Sequence, residues 1–442
     1  MRANLKRTMV LFFAMALIFS SFIVANAQSY EITDDMVHIQ DFFEDEAFVN
    51  ALNEHMIDTF GYEFVHNYEL ALNGIYALYS ALPRNRAGQT IYPDSFGGMY
   101  INSEGNLVVL TVEGSIESDS IDQICSIDGV LNRESAFSYS ELQNTFEFLE
   151  ELFLDNNQAM RNASSIAMSV SRNRIIVELY DYSYEQISLF RQQVLDSPIL
   201  VFEPRTTVIV LAAYLPNPQN DATKYSDVEI EPMSTTTLNF GSIVGMYQGM
   251  NGSLGFRARR GTARGFVTAA HLAPNDDSSR RVWNTATRPP NAHIGTVGIS
   301  RISVDAAFVE TSIPVNNNAI FPNGTNASVL PQYGTIVEGL LVHTIGMTNG
   351  FRTGTVVDLN RIVRAACQWR GLFSITTTQV LTDRASGGGD SGGIVFSRTT
   401  TQPQIRTYGS TGILVAASID NPRQGFFVRT TSINQTLGTQ LD

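Results

Sequence analysis

From Gly241 onward the chain changes texture, and that change limits the folds open to it more than any other feature. Short apolar and β-branched runs alternate with Gly, Asn and Pro turns: GFVTAAHL, HIGTVGI, DAAFVET, LVHTIGM, GTVVDLN, FSITTTQVL, GGIVF, TGILVAAS and GFFVRT. Helical spacing is nearly absent there until Thr431–Leu437. Many short strands with frequent turns predict an antiparallel barrel or sandwich. No internal repeat at a fixed period is visible in them.

The preceding part reads as mixed α and β. Residues 33–83 carry helical apolar spacing in Phe42, Phe43, Phe48, Leu52 and Met56. GMYINSEGNLVVLTVEG, at 98–114, predicts a hairpin with its turn at Asn102-Ser103-Glu104-Gly105. Tyr139 to Met160 predicts a helix with Leu142, Phe146, Leu149 and Phe153 on one side. Ile166–Val170 and Ile175–Tyr180 read as strands, Tyr184–Leu195 as a helix and Ile199–Phe202 as a strand. A unit of this kind forms a small open sheet with helices on one face. Residues 215–239 are rich in Pro, Asn, Asp, Ser and Thr and read as a linker with a processing site.

The first 27 residues have their own pattern. Lys6 and Arg7 precede an apolar core from Met9 to Val24, and Ala25-Asn26-Ala27 is a small-residue cleavage site before Gln28. This is the pattern of a secretory signal peptide, so the product is expected outside the cell. A membrane anchor is the rival reading, and it wants a longer apolar run without the Ala-x-Ala end. No membrane association is expected after signal cleavage.

Charge is divided unevenly. Residues 28–235 carry 33 acidic and 9 basic side chains, a net of 9 − 33 = −24, and residues 236–442 carry 17 arginines and 10 acids, a net of 17 − 10 = +7. The two parts can attract each other, although an acidic surface also serves solubility alone. The arginines form no basic run interleaved with aromatics, which argues against nucleic-acid binding. The 2 cysteines, Cys125 and Cys367, allow at most one disulfide. No Cys/His cluster has metal-ligand spacing, and no metal or cofactor is expected.

GGGDSGGIVF, at 387–396, sets Ser391 among glycines before an apolar strand. Such clusters mark turns. They also suit a nucleophile that stands clear of its neighbours, with backbone N–H groups aimed at a developing oxyanion. A nucleophilic serine needs a base and an orienting acid. His271 ends GFVTAAHL, where it is either a core histidine or that base. Asp305 opens DAAFVE, where it is either a turn residue or the acid. The chain order His271, Asp305, Ser391 is that of the chymotrypsin arrangement.

TAAH, DAAFV and GGGDSGGIVF, in that order, resemble the chymotrypsin-like serine proteases. The bacterial branch of α-lytic protease and the streptogrisins is the most similar, through GSIVGMYQGMNGSLGFRARRGTARGFVTAAHL and IGMTNGFRTGTV as well. The resemblance implies an all-β protease domain over 240–442, built as two antiparallel β-barrels of the trypsin-like fold. It also implies an α+β pro region over 28–214 that assists folding, consistent with FGGMYINSEGNLVV and RIIVELYDYSYEQISLFRQQV. His271 would then act as base, Asp305 would orient it, and the N–H groups of Gly389 and Ser391 would form the oxyanion hole. Ala385, Ser386, Gly387 and Gly388, with Val415, Ala416 and Ala417, would line the primary pocket. None is acidic, which disfavours Lys or Arg and favours apolar or small side chains. The expected substrates are proteins or peptides, the other partner is the chain's own pro region, and the enzyme is expected to be a monomer.

Departures from the family pattern accompany this likeness. Leu272 follows the histidine, and His343 and Thr353 stand where the family's cysteines would lie. Thr344 stands in place of the arginine near Asp390, whose partner is then His343, a nearby arginine or a new N-terminus. Val415 replaces a serine that supports the triad acid. Two other readings stay open: a catalytically idle binding or adhesion module on the same fold, and residues 28–235 as a permanent partner domain.

Overall fold

The computed structural model describes residues 56–86, 90–112, 129–210, 213–214, 237–245, 250–272, 281–284, 293–322, 324, 326–334, 336–367, 371–383, 386–399 and 408–442. The expected signal peptide, Phe42, Phe43, Phe48, Leu52, Cys125, Ala385 and most of the 215–239 linker lie outside these residues.

Helix α1 (Tyr62–Ala81) follows Gly61 and ends before Pro83, which restricts the residue ahead of it. Its stripe of Val65, Tyr68, Leu72, Ile75 and Leu78 is buried, with the i, i+3, i+4 spacing of a helix that covers a core. Strands β1 (Phe96–Ile101) and β2 (Leu107–Val112) form the expected hairpin, whose turn is closed by Gly105 N–H donating to Asn102 O at 3.1 Å. Strand β3 (Val130–Ser135) runs parallel to β2. Helix α2 (Tyr139–Leu154) starts with a reciprocal capping box between Ser138 and Glu141 and buries Leu142, Phe146, Leu149 and Phe153.

Strands β4 (Ala163–Ser169) and β5 (Arg174–Leu179) pair antiparallel. Helix α3 (Tyr184–Gln193) then carries the chain to β6 (Leu200–Pro204), parallel to β5. The N-terminal part is α+β, as expected. Two short strands end it, β7 (Val208–Val210) and β8 (Ala213–Tyr214).

The rest is almost entirely strand. The first set is β9 (Ile243–Gly245), β10 (Met250–Ser253), β11 (Arg257–Arg260), β12 (Ala263–Ala269), β13 (Arg281–Trp283), β14 (His293–Arg301) and β15 (Ala306–Glu310). Hydrogen bonds run β12-β15-β14-β13-β9-β10. The bend between β10 and β11 closes the ring, since Gly255 N–H donates to Val267 O and Val267 N–H to Phe256 O, both at 2.9 Å. Strands β16 (Asn318–Ile320) and β17 (Asn326–Tyr333) lead to the second set. That set is β18 (Leu341–Gly346), β19 (Gly350–Cys367), β20 (Gly371–Thr382), β21 (Ile394–Arg398), β22 (Tyr408–Ser418) and β23 (Gln424–Arg429). It closes as β18-β19-β20-β23-β22-β21-β18, antiparallel throughout. Helix α4 (Thr430–Leu437) packs on β22, and β24 (Gln440–Leu441) returns to β11.

With the β10–β11 bend counted as one strand, both rings follow one order: first, second, third, sixth, fifth, fourth. The two antiparallel barrels expected for 240–442 are therefore present. Strand β22 is buried along its whole length because α4, β12 and β7 cover it as well as its ring neighbours. That explains why TGILVAAS reads as a continuous apolar run rather than an alternating one.

The small N-terminal sheet continues into the barrels. The edge of β4 pairs with β19, Ile166 opposite Ile362, so one sheet runs from the N-terminal part into the second barrel. An open strand edge seeks a partner for its N–H and C=O groups. Opposite charges meet at this junction. Arg361 donates to Glu178 at 2.9 Å and to Asp358 at 2.8 Å, and Ser165 joins them. Arg398 pairs with Glu69. One acid points the other way. Glu338, on the barrel side, accepts from Val170 N–H at 2.6 Å, from Ser171 N–H at 3.2 Å and from the Ser171 hydroxyl. Burial pushes its carboxyl up to about 7, against the pull of those donors.

Candidate active site

His271 lies in a single 3₁₀ turn at the end of β12, and Asp305 follows a second such turn just before β15. Strands β12 and β15 are neighbours, with Ala269 opposite Ala306, so their ends bring the two side chains together. Asp305 adopts φ 39° and ψ 46°, a left-handed conformation that aspartate tolerates better than most residues. There its Oδ1 accepts from His271 N–H at 2.7 Å and its Oδ2 lies 2.5 Å from His271 Nδ1. A carboxylate only accepts, so Nδ1 carries the ring proton and Nε2 is left as an acceptor.

Ser391 comes from the other barrel, on the turn before β21. Its hydroxyl has two acceptors in reach, His271 Nε2 at 2.7 Å and Val415 O at 3.1 Å. His271, Asp305, Asp390 and Ser391 are all 0% exposed. Gly389 and Gly392 hold φ of 99° and 84°, which favour glycine. Among the described residues, neither the Gly389 N–H nor the Ser391 N–H has an acceptor.

The seam between the barrels is hydrogen-bonded around this turn. Ser253 N–H donates to Ser391 O at 2.6 Å. The Ser253 hydroxyl donates to Gly389 O at 2.7 Å and accepts from Met347 N–H at 2.8 Å. Beside it, a Cβ on Gly252 would stand 2.5 Å from Ser391 O and 2.4 Å from Leu272 Cδ1. A glycine is required there.

Asp390 is held by a set that short motifs do not reveal. It accepts from Thr348 N–H and Asn349 N–H at 3.1 Å each, from Gly387 N–H at 3.0 Å and from Asn349 Nδ2 at 2.7 Å. Arg352 Nη2 lies 3.3 Å away. Of the three candidates for its partner, the nearby arginine is the one present. His343 instead makes a 3.1 Å contact from Nδ1 to Thr353 Oγ1 and stacks on Phe351 at 5.2 Å. The pair standing at the family's cysteine positions is thus a directly opposed cross-strand pair joined by a hydrogen bond. His293 opens β14 with its ring against Trp283. Burial and the charge of Arg281 hold its pKa below the ordinary histidine value.

The residues expected to line the pocket are only partly in view. Ser386 accepts from Arg352 Nη1 at 2.7 Å. Val415, Ala416 and Ala417 are buried on β22 next to Ser391. They are covered by the chain's own N-terminal part: β7 pairs antiparallel with β22, Val210 opposite Ala416 and Ile209 opposite Ala417. Ile419 N–H donates to Thr207 O at 2.9 Å, which extends that ladder. The other edge of β7 runs parallel to Ala365 and Ala366 of β19. On the far side of Ser391, β8 pairs with β10, Ala213 opposite Asn251. Thr207 to Tyr214 reads TVIVLAAY, an apolar strand pattern directly before the linker.

Residues 40–137 match the family model described as a Pro-like N-terminal domain, and residues 140–205 match the Pro-like C-terminal domain. The chain carries a Pro-like region. The resemblance to the α-lytic protease branch, with its pro region, is borne out. Comparison with curated protein sequences gives no match. Among solved structures, the chain is similar to protease A of Thermobifida fusca, with 23% identity over 46% of this chain and 98% of that one and a TM-score of 0.35. It is also similar to a glutamic acid specific serine protease, at 21% identity over 46% and 100% and a TM-score of 0.37. An α-lytic protease homolog, N4, matches at 15% over 47% and 100% with a TM-score of 0.33. The Pro-like region is joined to the barrels through β4, Arg361 and Glu338, and β7 follows directly after it. No described helix is long and apolar enough to cross a membrane.

Proposed function

We propose that the chain is the precursor of an exported serine endopeptidase, with residues 28–214 as its pro region and 240–442 as its protease domain. The observation that carries this reading is the hydrogen-bonded run from Asp305 through His271 to Ser391 across the seam of the barrels. Ser391 Oγ attacks a peptide carbonyl while His271 Nε2 takes its proton, and the imidazolium is stabilised by Asp305. The N–H groups of Gly389 and Ser391 receive the oxyanion; one such donor is worth about a hundred- to thousand-fold in rate. His271 passes the proton to the leaving amine, and water then releases the acyl group from Ser391.

The lack of an acidic residue among Ser386, Val415, Ala416 and Ala417 supports a preference for apolar or small side chains over Lys or Arg. The complete burial of Ser391 in the uncut chain fits a precursor that is silent until processed. The test compares casein hydrolysis by the secreted wild type and by Ser391→Ala. The substitution is expected to lower turnover by about 10⁴- to 10⁶-fold. Equal rates would overturn the proposal.

A further inference from the structure

Each backbone N–H proposed for the oxyanion hole is aimed by the carbonyl at the other end of its own peptide. A peptide unit is planar and trans, so its C=O and N–H point in opposite directions, and fixing one fixes the other. The Ser391 N–H shares its peptide with Asp390 O, which accepts from Gly393 N–H at 2.9 Å. The Gly389 N–H shares its peptide with Gly388 O. There the bond comes from a side chain: Thr348 Oγ1 donates to Gly388 O at 2.5 Å.

The Gly388–Gly389 peptide lies between two glycines, so no Cβ on either side resists its rotation. Among the described residues, the Thr348 hydroxyl makes the one hydrogen bond to this peptide's carbonyl. Thr348 is itself anchored. It sits in the turn between β18 and β19, and its N–H donates to Asp390 Oδ1 at 3.1 Å. Its neighbour Asn349 donates to the same carboxylate from its N–H at 3.1 Å and from Nδ2 at 2.7 Å. The turn is thus pinned to the residue before Ser391, and the hydroxyl reaches back to the peptide ahead of it. A Cβ on Gly389 would stand 2.6 Å from Thr348 Oγ1, so the hydroxyl packs directly on the glycine whose N–H it aims.

We propose that Thr348 is a positioning residue for the oxyanion hole, its hydroxyl holding the Gly388–Gly389 peptide with the Gly389 N–H turned toward the carbonyl that Ser391 attacks. The inference rests on the proposed function. Thr348 acts through Gly389 and neither gives nor takes a proton in the reaction. Removing its hydroxyl leaves the donor in place but free to turn away. The expected cost is therefore about tenfold in kcat, below the hundred- to thousand-fold of a donor removed outright. The oxyanion develops only in the transition state, so KM should hardly move.

The full chain is expressed, and the secreted enzymes of wild type, Thr348→Val, Thr348→Ala, Thr348→Ser and Ser391→Ala are compared. Valine keeps the shape of Thr348 and loses the hydroxyl, alanine is a second variant without it, and serine retains it. The substrate is a peptide that the wild type cuts out of casein, resynthesised with a fluorophore and a quencher. The inhibitor is the peptide aldehyde with the same acyl half, which binds as a tetrahedral adduct of the serine. In Thr348→Val and Thr348→Ala, kcat is expected to fall about tenfold with KM within about twofold, and the aldehyde's Ki to rise by about the same factor as kcat falls. Thr348→Ser should stay within about threefold of wild type on all three measures. Values of kcat and Ki within twofold of wild type in the variants without the hydroxyl overturn the inference and leave the proposed function standing. So does a loss in Thr348→Ser as large as in Thr348→Val, or a change confined to KM, because either assigns the effect to packing. Should Thr348→Val not be secreted, Thr348→Ala decides between the same outcomes. Equal casein hydrolysis by wild type and Ser391→Ala, or none by either, overturns both the inference and the proposed function.

Discussion

Replacing Glu338 with glutamine should flatten the pH dependence of the uncut chain's stability. The carboxyl is 6% exposed and faces Val170 N–H, Ser171 N–H and the hydroxyls of Ser169 and Ser171 from the Pro-like region. On the barrel side, the acid nearest in effect is Asp358. Burial raises Glu338 from 4.5 to about 7. A raised carboxyl pKa means that the folded chain holds the proton more tightly than the unfolded one does. The stability this contributes is fully present below 4.5 and is lost as pH rises through 7. A rise from 4.5 to about 7 corresponds to about 3 kcal/mol. Ser391→Ala supplies a chain that cannot cut itself, and urea unfolding from pH 4.5 to 8.5 reads the slope. Subtracting the Glu338→Gln curve from its parent removes the contributions of other groups. The difference should change by about 3 kcal/mol across the window, in favour of Glu338 at the acid end. A difference flat to within about 0.5 kcal/mol would refute the argument that burial of this carboxyl outweighs its hydrogen bonds.

Two further expectations concern the site. Arg352→Met leaves Asp390 buried without its cation; breaking such a pair costs about 3–5 kcal/mol, and the four remaining hydrogen bonds favour the lower end. Urea unfolding in the Ser391→Ala background checks it, and a loss below about 1 kcal/mol would count against the role given to Arg352. Gly252→Ala pushes a methyl against Ser391 O and Leu272. It should lower casein hydrolysis at least about tenfold while the strand signal in circular dichroism is kept, whereas activity within twofold of wild type would show that the seam yields.

The sequence discloses His271, Asp305 and Ser391 because each sits in a short run whose residues must be neighbours for local reasons. Ser391 needs glycines on both sides, His271 follows an apolar strand and Asp305 precedes one. Arg352 was visible only as an unnamed nearby arginine, because a long side chain reaching Asp390 from β19 leaves no spacing to read. The joins of β4 to β19 and of β7 to β22 are made by backbone groups about 200 residues apart. Main-chain hydrogen bonding is the same for nearly every side chain, so composition cannot foretell which edge meets which. The repeated winding of the two barrels is hidden for the same reason: strand order is a property of pairing, and the paired runs share no motif.

Each ring is closed by its own hydrogen bonds, and each would stay closed if the other were shifted by half an ångström. The contact between His271 and Ser391 crosses the seam, and such a shift would stretch it from 2.7 Å to about 3.2 Å, the long end of a hydrogen bond. Its alignment depends on the few polar groups around Ser253, where β10 meets the Ser391 turn. Speed and foldability are therefore written in different places in this molecule, and evolution can tune the first at the seam while leaving the second alone.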